Sequence, residues 1–398
     1  MEDLWTLGKN QEGEEVLEMN LLYLTWGYPY DKAIISAFEK EGITITQLDV
    51  AEYGIFFTEE QKGEIESLDL LLSNAMQSLN VEIVFSINFF AEISDFCQKK
   101  VIPYCSWVLD FPNFDLYTKS LFNPCNYIGI NDSYLVEKFW KEGVEKVFFL
   151  PDAVEMKERI QEHYEERELC FVGQQSVSKL NRERISKYSR GYLDAFLHAQ
   201  RVLSGESILE NGLINRVYDE ITRKNVIPNN ILPQFQKQYF ADYYLAPECT
   251  IQQQNIILQN NANIMTIYSD NPFTICNCKK FSYPQDEEER RQIYAKKEFT
   301  LVLTPHVYHH GISRDMLEVI LAGGFPICSL QKDYLYFFKK DEDISYFVDY
   351  PDFFKNLQRY GNKVTERVRV QRNMYENVVE NHTYKNRIAA MLETWANL

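Results

Sequence analysis

The sequence predicts an α/β protein of two Rossmann-like parallel-sheet domains in tandem, facing each other across a cleft. Three observations carry this. Short, wholly apolar runs alternate with amphipathic stretches, the pattern of a parallel sheet covered on both faces. The alternation restarts near residue 168 after a first series that ends near 151. Between the two series, residues 152–168 (DAVEMKERIQEHYEERE) are polar and densely charged, which marks a domain boundary.

In the first half, LLYLTWG (21–27) reads as a buried strand ending in a glycine turn, and YDKAIISAFEKEG (30–42) as a helix stopped by Gly42. ITITQLDV is a strand and IESLDLLLSNAMQSLN a helix. VEIVFSIN (81–88) is a strand and FFAEISDFCQKK a helix. VIPYCSWVLD (101–110) and NYIGIN (126–131) are strands, DSYLVEKFWKEG is a helix and KVFFLP (146–151) a strand. In the second half, ELCFVGQ (168–174) is a strand with Gly173 near its end, followed by a mainly helical insertion over about 182–261, broken near IPNNILP. Residues 262–270, 279–284, 299–304, 325–330 and 345–350 read as strands, and the tail from 366 as helix. The expected domains are 1–160, 161–365 including the insertion, and 366–398 as a C-terminal helical segment.

Composition narrows the function. With 45% hydrophobic and 25% charged residues the chain is globular, and its 26 Phe, 26 Tyr and 5 Trp supply cores and aromatic-lined clefts. A net charge of −17 argues against a nucleic-acid partner. Eight scattered cysteines without a CxxC pair read as buried thiols in a reducing compartment. Cys276 and Cys278 lack further ligands at a usual spacing, so no metal is expected. No apolar run reaches the about 18 residues that span a bilayer, and the acidic N-terminus does not look like a secretion signal. A soluble, cytoplasmic protein without a transmembrane segment is expected. Neither GxGxxG after the first strand nor GxxxxGK[ST] occurs, which disfavours a dinucleotide dehydrogenase and a P-loop NTPase.

Ligands of open parallel sheets sit beyond the carboxyl ends of the strands. The loops there are WGYPY, INFF, LDFPN, GQQS, YSDN, SYPQ and TPHVYHHGISR. In the last of these, Ser313 is a candidate N-cap for a helix from Arg314 to about Leu321, stopped by Gly323 and Gly324. Arg314 stands where the helix dipole disfavours a cation, and it precedes Glu318 in the weaker order for an ion pair. An anion at the helix start resolves both oddities. A diphosphate would take the amides of Gly311 to Arg314 and a bidentate contact from Arg314. Glu318, one turn on, would accept two ribose hydroxyls, and Gly311 would let the backbone approach the phosphate. The competing reading is an exposed Arg–Glu pair of little energetic weight. His306, His309 and His310 read as a metal patch or as loop residues beside a sugar-phosphate site.

HHGISRDMLEVILAGGFPICS, DYLYFFKKDEDISYFVDYPDFFKNL and ENHTYKNRIAAMLE resemble the C-terminal half of the CgeB-like, spore-maturation-type bacterial glycosyltransferases. The stretch VEIVFSINFFAEISDFCQKKVIPYCSWVLDFPNFDLYTKSLFNPCNYIGINDSYLVEKFWKEGVEKVFFLPDAV resembles their N-terminal half. The resemblance covers most of the chain and is weakest over the first twenty residues and from about Lys187 to Phe240. It implies a GT-B fold, with the nucleotide-sugar donor on the C-terminal domain, the acceptor toward the N-terminal one, and a final helix crossing back to the N-terminal domain. It implies sugar transfer from a nucleotide diphosphate, most readily a UDP-sugar, to a glycan or protein acceptor, without a metal or other cofactor. Arg314 then corresponds to the diphosphate-binding residue, Glu318 to the ribose-binding acid and Gly173 to the turn that admits the donor. Ser269 with Asp270, and Ser282 with Tyr283, would flank the base. His310 fills the position where many retaining members carry a glutamate, so the stereochemistry stays open.

Transfer needs an acceptor hydroxyl deprotonated or a leaving diphosphate stabilised. Asp110, at a strand end, is the candidate base or else a turn-capping aspartate. His310 is a second catalytic candidate, in contact with donor sugar or phosphate. Trp26, Gly27, Asn88 and His306 are candidate substrate-binding residues. Trp107 reads as core or as a sugar-stacking ring. A non-catalytic bilobed binding protein and a GT-B phosphorylase remain the alternatives.

Overall fold

The structure, a computed structural model, describes residues 6–9, 15–51, 65–78, 80–158, 160, 166–202, 207–222, 227–270, 278–340 and 342–397. Two short strands, β1 (Thr6–Lys9) and β2 (Glu15–Glu18), form an antiparallel hairpin. The first sheet contains β3 (Asn20–Thr25), β4 (Thr44–Asp49), β5 (Ile83–Ile87), β6 (Tyr104–Val108), β7 (Asn126–Ile130) and β8 (Val147–Phe149). It is six-stranded and parallel, in the order β4-β3-β5-β6-β7-β8. β5, β6 and β7 are buried at every position, which is why they read as unbroken apolar runs.

The second sheet contains β9 (Glu166–Val172), β10 (Met265–Tyr268), β11 (Lys279–Phe281), β12 (Lys297–Val302), β13 (Pro326–Ser329) and β14 (Tyr346–Phe347). It is also parallel, in the order β11-β10-β9-β12-β13-β14. The strand order reverses direction between β3 and β5 in the first sheet and between β9 and β12 in the second. Ligand crevices of such sheets open at these switch points.

The helical insertion is grown from the second half of the chain but packs on the first. Its Phe235, Tyr239, Phe240 and Leu245 share one apolar core with Leu116, Tyr117, Ile130 and Phe139 of the N-terminal domain. Phe114 meets Tyr239 at 4.6 Å between ring centroids, and Leu232 N–H donates to the Tyr117 carbonyl at 2.9 Å. The tail divides into two helices. Val364–Asn381 contributes Val370, Met374 and Val378 to the C-terminal core. Tyr384–Asn397 crosses to the N-terminal domain, burying Ile388, Met391, Leu392 and Trp395 against Phe38 and Phe85. Those positions form one stripe of an amphipathic helix, and each fully buried side chain is worth about 2 kcal/mol. Between the two helices, Val154 pairs with Thr383 in a bridge, so the two chain passages between the domains lie side by side.

Candidate functional site

The helix Arg314–Leu321 begins where expected. Ser313 has extended N-cap geometry (φ −80°, ψ 131°), but its hydroxyl makes no capping bond. The groups expected to await an anion are met by carboxylates of the N-terminal domain. Arg314 donates from Nη2 to Asp152 Oδ1 at 2.6 Å and from Nε to Asp152 Oδ2 at 3.2 Å. Its guanidinium lies 3.9 Å from the Tyr30 ring centroid, with Tyr28 and Tyr384 at 5.6 and 5.9 Å. Burial works against the Arg314 charge, but Asp152 together with Tyr384 and Tyr28 outweighs it, and its pKa is raised. Nη1 is buried without a hydrogen-bond partner.

Asp132 answers the loop amides in the same way. Its Oδ1 caps the helix Ser133–Lys141 by accepting from Tyr134 N and Leu135 N, while Oδ2 accepts from His309, His310 and Gly311 N–H at 2.7, 2.9 and 3.1 Å. The glycine at 311 is required by a protein neighbour: a Cβ there would lie 2.2 Å from the Asn131 carbonyl oxygen. The amide of Gly311 and the Nε–Nη2 edge of Arg314 are thus held by protein groups, in place of the diphosphate that the spacing suggested. Glu318 is likewise engaged, accepting from Tyr30 Oη at 2.7 Å and facing Arg290 Nε at 3.7 Å.

The three histidines diverge. His309 is fully buried, stacks on Tyr134 and holds Asp242 at 2.9 Å, Gln238 at 2.7 Å and Ser207 at 2.6 Å. Burial pushes its pKa down and Asp242 pulls it up, with the balance upward. Tyr117 also donates to Asp242, so this cluster ties the insertion to both domains. His310 turns to Ser133 (3.4 Å) and Tyr134, and neither contact brings it to Asp110. Burial lowers its pKa, and its Nε2 has no partner. His306 takes a backbone bond from N–H to Thr250 Oγ1, and burial lowers its ring to about 4, so it is neutral. Among the described residues, no group of three His, Cys, Asp or Glu could hold a metal; Cys276 lies outside them.

At the β9–β12 switch point a pocket of about 460 Å³ opens, lined by Gly173, Gln174, Gln254, Pro305 and Asp315 among others. Gly173 is small for a local reason as well: a Cβ would meet the Phe171 ring at 2.9 Å. Beside it the structure brings together Ser269, Asp270 and Tyr283. Ser269 Oγ donates to Gln174 Oε1 at 3.1 Å, and Asp270 accepts from Tyr283 N at 2.9 Å. Ser282 is exposed on the same loop. Asp315, absent from the sequence-based set, is exposed to the pocket while protein surrounds its other sides. Burial, then Glu318, pushes its carboxyl up to about 6.

Across the domain junction the N-terminal domain presents a second set of candidate groups. Asp110 is exposed at the end of β6, held by Asn88 Nδ2 at 2.9 Å, while Asn88 Oδ1 accepts from Leu109 N and Asp110 N at 3.0 Å. Asn88 adopts a left-handed φ of 63°, a conformation that asparagine tolerates. Burial raises the Asp110 carboxyl, opposed by Asn88 and Arg314. Tyr308 reaches across from the C-terminal domain, donating to the Leu109 carbonyl at 3.2 Å and packing on Phe111. Gly27, at φ +87°, has open space around its Cβ position, and Trp26 is pinned by Nε1 to the Ile87 carbonyl at 3.0 Å. Trp107 is core, wholly buried with Nε1 on the Leu150 carbonyl.

Two facing six-stranded parallel sheets, a pocket at the second switch point and a helix returning to the first domain define the GT-B fold class. Residues 279–393 match the family model described as Glycosyl transferase-like, a segment running from β11 into the last helix. No curated protein matches the sequence. Among solved structures the fold is similar to E. coli trehalose-6-phosphate bound with UDP-2-fluoro glucose (TM-score 0.54, 11% identity, 95% of this chain and 99% of that one). It is also similar to Anabaena Alr3699/HepE in complex with UDP (TM-score 0.51, 9% identity, 96% and 100%). A third similar structure is a glycosyltransferase from Rickettsia africae ESF-5 (TM-score 0.51, 9% identity, 96% and 98%). Among the described residues no helix is long and apolar enough to cross a membrane.

Proposed function

We propose that this chain is a cytoplasmic glycosyltransferase that moves a sugar from a nucleotide-diphosphate sugar, a UDP-sugar by preference, to a hydroxyl of a glycan or protein acceptor, without a metal. One observation carries the reading: the segment matching the glycosyl transferase-like model supplies Asp315 to the switch-point pocket, on a fold whose N-terminal domain carries Asp110 just beyond β6. The CgeB-like resemblance adds the protein or surface-glycan acceptor.

The donor lies along Gly173, Ser269 and Tyr283 with its diphosphate toward the start of the helix Arg314–Leu321, where the dipole favours an anion. Asp110 accepts the acceptor hydroxyl's proton as the oxygen bonds to the sugar's anomeric carbon and the bond to diphosphate breaks. Burial raises its proton affinity, which makes it a stronger base than a solvated carboxylate. Asn88 orients that carboxylate, and Trp26 and Gly27 line the acceptor side.

The test is a panel of nucleotide-sugars, free UDP, GDP and inorganic phosphate, read by thermal shift and by slow donor hydrolysis, with and without EDTA. A nucleoside diphosphate should stabilise the protein at low concentration, and turnover should survive EDTA. Asp110→Asn should keep nucleotide binding and lose about 10²–10⁴-fold in turnover. If phosphate alone stabilises, the phosphorylase reading replaces this one. If no donor is turned over and none protects the fold, the enzyme reading fails.

A further inference from the structure

The loop that leaves the switch-point pocket carries a charge opposite to that of the chain. From Gln174 on the pocket rim it passes Ser176, whose N–H donates to Gln254 Oε1 at 3.1 Å, and enters the stretch SVSKLNRERISKYSRGYL (176–193). The cations there are Lys179, Arg182, Arg184, Lys187 and Arg190, with Glu183 as the single acid, in a protein of net charge −17. Arg182 is paired with Asp194 at 2.5 Å. Lys179, Arg184, Lys187 and Arg190 are exposed, and among the described residues no hydrogen bond or ion pair engages their side chains. Tyr188, 71% exposed, meets Tyr192 edge to face at 4.7 Å on the helix Lys187–Val202, and Arg216 stands 5.3 Å from the Tyr192 ring centroid. The start of that helix is satisfied from within, Ser189 N–H donating to Ser186 Oγ at 3.2 Å, so the patch is made by side chains.

We propose that this basic shelf docks an acidic glycan, a sugar chain bearing carboxylates or phosphates, and leads its end toward the cleft. The inference rests on the glycosyltransferase reading and names its acceptor by chemical class. Unpaired cations gathered on a strongly acidic protein select an anion, which the rest of the surface repels. The exposed tyrosine pair adds a flat apolar platform with polar tips, suited to the C–H face and hydroxyls of a sugar ring. The reach fits as well. Lys179 lies five residues beyond Gln174, so even a fully extended chain keeps it within about 18 Å of the pocket rim. Leu180 and Ile185, set among the cations, share one core with Tyr117 and Phe139, which places the shelf against the N-terminal domain. A lipid surface would need an apolar helix face to enter it, and here Leu193, Phe196 and Leu197 bury that face in the core. The match to the glycosyl transferase-like model begins at residue 279, so the shelf lies outside the matched segment.

The test is fluorescence anisotropy of the full chain with labelled oligogalacturonate, a phosphorylated maltodextrin and plain maltodextrin of the same length, beside sedimentation with phosphatidylglycerol vesicles. Wild type should bind at least one of the two acidic chains about ten-fold more tightly than the neutral one, the size of a few exposed ion pairs acting together; the tighter of the two names the charged group. Lys187→Glu/Arg190→Glu should lose that preference, and so should wild type in about 1 M salt. Tyr188→Ala should weaken binding about five-fold at either salt concentration, because packing on a ring is not screened. The thermal shift given by UDP should be the same in all three proteins, which separates a lost shelf from a lost fold. The proposal is overturned if the neutral chain binds as well as the acidic ones, if the charge-reversed variant binds them like wild type, or if only the vesicles are bound; the glycosyltransferase reading survives each of these. If the acidic chain binds and no nucleoside diphosphate does, the shelf stands as a glycan-docking surface and the transferase reading alone falls.

Discussion

Asp152→Ala removes the carboxylate that holds Arg314 at the domain junction. The Arg314 and Asp152 side chains are 11% and 6% exposed, so the variant leaves a guanidinium charge in a nearly dry site. Breaking a buried pair by deleting one partner costs about 3–5 kcal/mol. The rings of Tyr28, Tyr30 and Tyr384 continue to attract the cation, which favours the lower end. Losing the bond from Ala153 N to Asp152 Oδ1 (2.7 Å) adds about 1 kcal/mol. The expected loss is therefore about 4 kcal/mol, measured by urea unfolding of the full chain. Asp152→Ala/Arg314→Met removes both charges and leaves an apolar stem among the three rings. It should recover about 2 kcal/mol, because apolar replacements of buried pairs are often neutral or better. A loss below about 1 kcal/mol for the single variant, or a double variant that is merely additive, would refute the reasoning by showing that water screens the pair.

Gly311→Ala drives a Cβ to 2.2 Å from the Asn131 carbonyl oxygen. Since the obstacle is backbone, the cost should reach about 3 kcal/mol, seen as a lower melting temperature and faster proteolysis between the domains; an unchanged melting temperature rejects the close approach. Asp315→Asn should stabilise the free protein at pH 7.5. The folded carboxyl titrates at about 6 against a reference of 3.8, so the native state holds a proton that the unfolded chain has released between those values. Its contribution is present below about pH 4 and lost as pH rises through 6. The melting-temperature difference between variant and wild type should therefore grow over that window and stay flat above it; a difference independent of pH rejects the assigned carboxyl.

The sheets were legible because β5, β6 and β7 are buried on both faces and must be apolar throughout. The helix from Arg314 to Leu321 was legible from its apolar side and glycine stop. The hairpin of β1 and β2 was not, since TLGK and EVLE carry no apolar alternation long enough to register. Nor was the side on which the insertion docks, because an amphipathic pattern states that a face is covered but not by what. Arg314's unfavourable position did point to an anion; the structure supplies one in Asp152. The pairing of Asp152 with Arg314, and of Asp132 with the loop amides, joins residues far apart in the chain, which no local spacing encodes. Asp315 was visible as an acid in the first turn, where the dipole favours one, and that ordinary placement concealed its open carboxylate.

The passage of the chain at Val154 and Thr383 has a mechanical consequence. Val154 N–H donates to the His382 carbonyl at 3.0 Å and Tyr384 N–H to the Val154 carbonyl at 3.1 Å, so the outbound and returning backbones are stitched to each other. A single tether would let two lobes swing in any direction. Two tethers fastened together restrict that swing, and the Arg314–Asp152 and Tyr30–Glu318 contacts beside them restrict it further.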